Sequence, residues 1–101
     1  MKSYLIVKSY VPKKLIDDFD NWYSTEHLKD AHKEFRAINS FRGWSKINKC
    51  IHYAYYQFKS IDEATDVLRG NSLKKMIKIY DLRWKNTIKR ERDIVQISEI
   101  F

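Results

Sequence analysis

The run Ile51-His52-Tyr53-Ala54-Tyr55-Tyr56-Gln57-Phe58 carries four aromatic rings and contains neither glycine nor proline, the strongest strand signal in the chain. Asn48-Lys49 makes a short turn just before it. Upstream, Ala37 to Ile47 lacks helical spacing, and Phe41, Gly43, Ser45 and Ile47 alternate with Arg42, Trp44 and Lys46, which predicts a second strand. Gly43 is expected to mark a bulge or a close backbone approach. The two strands form a hairpin in mid-chain, so the flanking segments must supply whatever buries one of its faces.

Upstream of the hairpin, Ser3 to Val11 reads as a strand with Leu5, Val7 and Val11 on one side and Tyr4, Ile6, Lys8 and Tyr10 on the other. Pro12 suits a first helical turn, and Leu15, Ile16, Phe19, Trp22 and Tyr23 recur at helical spacing. This helix is expected to loosen at Ser24-Thr25, whose hydroxyls compete for backbone groups, and to end near Phe35. Downstream, Ser60-Ile61-Asp62-Glu63 has the form of a capping box, and Ile61, Ala64, Val67 and Leu68 supply an apolar stripe. Gly70 sits where a C-terminal cap belongs. Asn71 or Ser72 can cap a further helix with Leu73, Met76, Ile77, Tyr80 and Trp84 on one face. From Ile88 the chain is expected to run through a charged lead-in, Lys89 to Asp93, into a last strand from Ile94 to Phe101.

The predicted order, β-α-β-β-α-β, is that of an α+β ferredoxin-like domain spanning residues 1–101, with one four-stranded antiparallel sheet and helices on a single face. A sheet so built leaves its other face to be covered by nucleic acid, another domain or a second copy. An exposed face of Tyr and Ile side chains favours the copy, so a homodimer is expected.

Composition narrows the function classes. The 101 residues suit one domain, and two glycines and one proline leave no room for a flexible linker. The single cysteine, Cys50, cannot close an intrachain disulfide and fits a reducing cytoplasm. No apolar stretch is long enough for a signal peptide or membrane span. Of the net charge of +7, +5 lies between Leu73 and Asp93, where Lys74, Lys75, Lys78, Arg83, Lys85, Lys89, Arg90 and Arg92 outnumber Asp81, Glu91 and Asp93. That segment, Lys74 to Arg92, is the basis of an alternative function as a ligand-sensing or nucleic-acid-associated module. The RNA-recognition version of this fold opens its third-strand motif with Lys/Arg-Gly-aromatic, and Asn48-Lys49-Cys50-Ile51-His52 has no such glycine. Nucleic acid is therefore expected to bind weakly and without sequence preference at most. His27 and His32, five residues apart, point to different helix faces, and Cys50 and His52 lack a second ligand pair, so no metal is expected.

The pair Trp22-Tyr23 followed by Glu26-His27-Leu28, a third strand ending in Phe58, the helix start Ser60-Ile61-Asp62-Glu63-Ala64, and Trp84 before Arg90-x-Arg92 together resemble the dimeric α/β-barrel superfamily, most of all its EthD-like branch. The resemblance implies two ferredoxin-like sheets paired into a barrel, with a small-molecule cavity in each protomer between sheet and helices. Members include cofactor-free monooxygenases, polyketide cyclases and lactone isomerases acting on aromatic or polyketide-like molecules, and haem-degrading enzymes. The Asn/Trp/His set of the haem-degrading members is not placed here, so no cofactor is expected. Phe19, Trp22, Tyr23, His52 and Trp84 are expected to line the ligand pocket. His27, sharing a helical face with Phe19 and Tyr23, is the candidate acid or base, with Tyr56 as a further catalytic candidate. The bland alternative for His27 is a structural histidine bonded to a backbone carbonyl.

Overall fold

In the computed structural model, which describes residues 2–101, four strands form one antiparallel sheet: β1 (Ser3–Tyr10), β2 (Asn39–Trp44), β3 (Ile51–Phe58) and β4 (Lys89–Gln96), in the order β2-β3-β1-β4. Between β1 and β2 come a 3-10 turn (Lys13–Leu15), α1 (Ile16–Trp22), a π turn (Tyr23–His27) and α2 (Leu28–Phe35). Helices α3 (Ile61–Arg69) and α4 (Asn71–Trp84) join β3 to β4. This is the expected α+β, ferredoxin-like order.

Alternation decides which side of each strand is covered. On β1, Leu5 and Val7 are buried, together with Ser3 and Ser9, while Tyr4, Ile6, Lys8 and Tyr10 lie half-buried on the other face. On β3 the inward set is His52, Ala54, Tyr56 and Phe58. The helical layer closes on them with Phe19, Trp22, Tyr23 and Phe35 from the first helical segment and Leu73, Met76, Tyr80 and Trp84 from α4. Each such side chain withdrawn from water contributes on the order of 1.5–3 kcal/mol.

Three sequence expectations are corrected. The residues expected as a lead-in are themselves the last strand: Lys89 to Gln96 pair with β1 from Tyr10↔Lys89 to Ser3↔Gln96, and residues 97–101 carry no regular structure. The full length of β1 is the template, and it holds the charged residues in the sheet with Arg90 and Arg92 on the inner side. Gly43 is no bulge. The β2–β3 register is unbroken from Asn39↔Gln57 to Trp44↔His52, and a Cβ at Gly43 would meet nothing within 4 Å. Asn71 and Ser72 do not cap α4; Gly70 takes that position in an extended conformation while also ending α3. Glycine is required there because a Cβ would lie 2.7 Å from the carbonyl oxygen of Asp66. The left-handed C-caps fall instead on Arg36 and Lys85.

The α3 capping box forms in its Ser60 half, and the return bond from Glu63 goes to the residue before the N-cap. Ser60 Oγ accepts from the Glu63 amide at 3.2 Å, and Glu63 Oε2 accepts from the amide of Lys59. The helix leading to His27 loosens where its hydroxyls fall. Thr25 Oγ1 donates to the Asn21 carbonyl at 2.8 Å, competing for an oxygen of the α-helical ladder, and the Leu28 amide reaches back to the carbonyl of Tyr23. That wider turn is the π segment.

Candidate functional site

The π turn sets the direction of His27. In a regular α-helix, side chains five residues apart diverge, but the widened turn brings the imidazole flat against the Trp22 indole, with centroids 4.1 Å apart and planes at 18°. Tyr23 meets the imidazole edge-on at 4.9 Å. His27 is 5% exposed, and its Nδ1 is buried with no hydrogen-bond partner among the described residues. The expectation that helix one carries His27 inward agrees with this position, and no backbone carbonyl holds that nitrogen.

Beside His27 is a cavity of about 20 Å³ between the sheet and the helices. Its walls are Val7, Tyr56, Arg90 and Arg92 from the sheet, Tyr23 and His27 from the π turn, Phe35 from α2, and Leu73, Met76, Ile77 and Tyr80 from α4. That volume has room for about one water molecule. Its lining is unusual for a core because three phenols, an imidazole and two guanidiniums converge there. Arg90 Nη2 donates to Asp81 Oδ1 at 2.5 Å, and its guanidinium lies 4.0 Å from the centre of the Tyr80 ring. The Tyr80 hydroxyl shares a 3.0 Å hydrogen bond with Ser9 Oγ. Arg92 makes no ion pair among the described residues, and its Nε is buried without a partner.

These surroundings set the protonation states. Burial, with a smaller push from the Arg90 charge, lowers the pKa of His27 to about 4, so its imidazole is neutral at pH 7. Burial holds Tyr23 and Tyr56 above the usual phenol range and pushes Tyr80 up to about 12. The guanidinium of Arg92 is pulled down by burial and then by Arg90. At neutral pH the site offers a neutral base, undissociated phenols and a cationic wall.

The structure divides the sequence-predicted residues into two groups. Tyr23, His27 and Tyr56 line the cavity. Phe19, Trp22, His52 and Trp84 pack behind it. Phe19 meets the rings of Trp22, Tyr23, Trp44, His52, Tyr80 and Trp84 at centroid distances of 5.0–6.1 Å. Of the two tyrosine registers on β3, the one holding Tyr56 faces the helices. Tyr53 and Tyr55 face outward, where Tyr55 stacks on Phe41 at 5.0 Å and Phe41 meets Tyr4 edge-on at 6.1 Å. Sequence reasoning missed Tyr80, Arg90 and Arg92 as site residues. The spacing Arg90-x-Arg92 was the available signal, since two arginines at period two on a strand share one face. The basic stretch is divided accordingly: Lys74, Lys75 and Lys78 are exposed on α4, where Lys75 pairs with Glu34 at 2.7 Å, while Arg90 and Arg92 turn to the cavity.

No group of His, Cys, Asp and Glu among the described residues is arranged to hold a metal ion, and no helix among them is long and apolar enough to cross a membrane. His32 Nδ1 lies 2.6 Å from Ser40 Oγ, away from His27. A wider surface groove of about 350 Å³ runs past Asp20, Trp44 and Lys49 without reaching His52.

No family model matches the chain, and no curated protein matches it in sequence. Solved structures do. A protein of the ethyl tert-butyl ether D (EthD) family from Bacillus halodurans superposes with a TM-score of 0.73 at 14% identity, covering 97% of this chain and 100% of that one. A NIPSNAP family protein of unknown function from Agrobacterium tumefaciens gives 0.68 at 13%, covering 99% and 91%. An antibiotic biosynthesis monooxygenase gives 0.63 at 7%, covering 97% and 98%. Over nearly its whole length the chain resembles EthD-like proteins in structure, and it shares their ferredoxin-like α+β fold.

Proposed function

We propose that the protein binds an aromatic or polyketide-like small molecule in the cavity beneath the π turn, and that His27 takes a proton from it without a cofactor. The supporting observation is the convergence of a neutral buried imidazole, three phenols and an arginine without a counter-ion among the described residues on one cavity. Such a constellation costs stability and has no packing role that leucines would not fill better. An imidazole with a pKa of about 4 is a weak base, so the step we infer requires the bound ligand's negative charge to raise it toward the ordinary value. A C–H or O–H bond of the ligand then breaks, its proton passes to the imidazole, and the electron pair stays on the ligand as an enolate or phenolate. Tyr23 and Tyr56, hydrogen-bonded to one another, and Tyr80, bonded to Ser9, stay undissociated at the cavity and would share those protons with that oxygen.

Pockets for organic ligands run to about 300–1,000 Å³, so binding requires this cavity to widen. Two features favour that. Its α4 wall includes Met76, an unbranched side chain that re-packs readily, and its other wall is a π turn, a local widening often found at functional sites.

We further propose a homodimer joined through the outer sheet face, where Tyr4, Phe41, Tyr53 and Tyr55 form a continuous aromatic strip. Light scattering at micromolar concentration checks this, with a dimer expected; a monomer rules out the barrel. Denaturing the purified protein and analysing what it releases by mass spectrometry tests the pocket. An aromatic acid or phenol retained by wild type and lost from His27→Phe is expected, and a fragment screen in which both proteins bind every compound equally sinks the proposal.

A further inference from the structure

We propose that the ligand of this cavity carries a carboxylate, and that Arg92 is the residue that selects it. This rests on the preceding reading of the cavity as a ligand site and adds the chemical class. The argument is one of charge and shape. Arg90 and Arg92 reach the cavity side by side from alternate positions of β4, and among the described residues one carboxylate, that of Asp81, lies beside them. Arg90 occupies it through its 2.5 Å contact and is fixed further by the face of Tyr80. His27, the other ionisable base at the cavity, is neutral at pH 7, and the three phenols add no charge. The balance is one positive charge, and it sits on Arg92.

A partly buried guanidinium with an unsatisfied Nε costs desolvation that nothing within the described residues returns. The planar fork of donors that would recover it matches a carboxylate, which accepts two parallel N–H bonds. A dianion such as phosphate would overmatch a single charge and needs more room at the guanidinium. The outward Lys89, Glu91 and Asp93 of the same strand lie on the opposite face and take no part. With the carboxylate on Arg92, the rest of the molecule lies among His27, Tyr23, Tyr56 and Tyr80, which line the same cavity. The fitting class is therefore a small carboxylic acid with an acidic C–H or a phenol a few bonds away.

The test uses two matched pairs of probes on the full-length protein: acetate against acetamide, and benzoate against benzamide. Binding is followed by calorimetry and by the ring proton signals of His27. The acids are expected to bind and shift His27, the amides about ten- to a hundredfold more weakly, the usual range for a charge-assisted hydrogen bond. Arg92→Met is expected to lose that preference while melting no lower than wild type, since it removes an uncompensated charge, and Arg92→Lys to regain part of it. Amides that bind as well as acids while shifting His27 overturn the carboxylate assignment and leave the ligand cavity standing. Acids that bind equally well to Arg92→Met without moving His27 are held elsewhere on the basic surface, which overturns the assignment to this site. If no probe of either kind moves His27, the cavity reading fails and the assignment with it.

Discussion

His27 and His52 flank the same ring: the Tyr23 centroid lies 4.9 Å from one imidazole and 4.5 Å from the other. Both are nearly fully buried, both have an Nδ1 without a partner among the described residues, and burial lowers the pKa of one to about 4 and of the other to about 3. Their surroundings differ. Around His52 the polar groups close on one another: Arg42 Nη1 lies 3.3 Å from its Nε2 and 2.8 Å from Asp20 Oδ1, and the same oxygen accepts from Trp44 Nε1 at 2.7 Å. Trp44 and Arg42, each donating, hold the Asp20 carboxyl below its usual range. Phe19 and Trp44 pack edge-on to the ring. Around His27 the phenols and Arg90 find partners, but among the described residues a cavity, the His27 Nδ1 and the Arg92 guanidinium remain unmatched. Burial and a depressed pKa are thus shared by a histidine closed into the packing and one that borders free space and uncompensated charge, and it is the second that the proposed function singles out.

The largest test of this pairing is acid. Both imidazoles are neutral in the folded chain and bind protons readily once unfolded, so below pH 6.5 the unfolded state takes up more protons and stability falls as pH falls. The window runs from 6.5 to about 4 for His27 and to about 3 for His52. Within it each histidine contributes a slope of up to about 1.4 kcal/mol per pH unit, several kcal/mol for the pair by pH 4. Denaturant midpoints measured from pH 7 to pH 4 should show that slope, and His27→Phe should remove about half of it. An unchanged slope means that the two rings are not equally buried.

Phe19→Ala comes next. Its ring touches both regions, through His52 and Trp44 on one side and Trp22 and Tyr80 on the other, so truncation should cost about 3–5 kcal/mol in urea unfolding and disturb both histidine signals. Substituting the histidines themselves sharpens the contrast. His27→Phe keeps a flat ring against Trp22 and should change stability by less than about 1.5 kcal/mol, whereas His52→Ala opens a hole in a closed cluster and should cost about 2–4 kcal/mol. Equal losses would erase the distinction. Smallest is Trp44→Phe, which removes one donor to Asp20 and should cost about 1 kcal/mol while leaving ligand binding untouched.

How far the sequence could be read depended on how each face was coloured. Strand β3 was legible to its end residues because Tyr, Ala, Tyr and Tyr alternate between a core and an aromatic outer face. The first helical segment and its loosening were legible from Ser24 and Thr25, although a π turn was not, since it depends on which carbonyl Thr25 captures. Strand β4 was displaced because Lys89 to Asp93 is charged on both faces, and hydrophobic alternation gives no signal there; pairing with β1 decides. That displacement hid the cavity's cationic wall. Of the residues expected in the pocket, Tyr23 lines the cavity while Phe19, Trp22, His52 and Trp84 stand one layer back, a depth that spacing along a helix or strand does not encode.

The most direct measurement is to follow the ring signals of both histidines in one titration with benzoate. If the cavity beneath the π turn is the site, the His27 signal moves saturably, its pKa rises toward the ordinary value as a negative charge arrives beside it, and His52 stays still. Movement of His52 with His27 fixed, or binding by calorimetry with both rings unmoved, contradicts the placement of the site at His27.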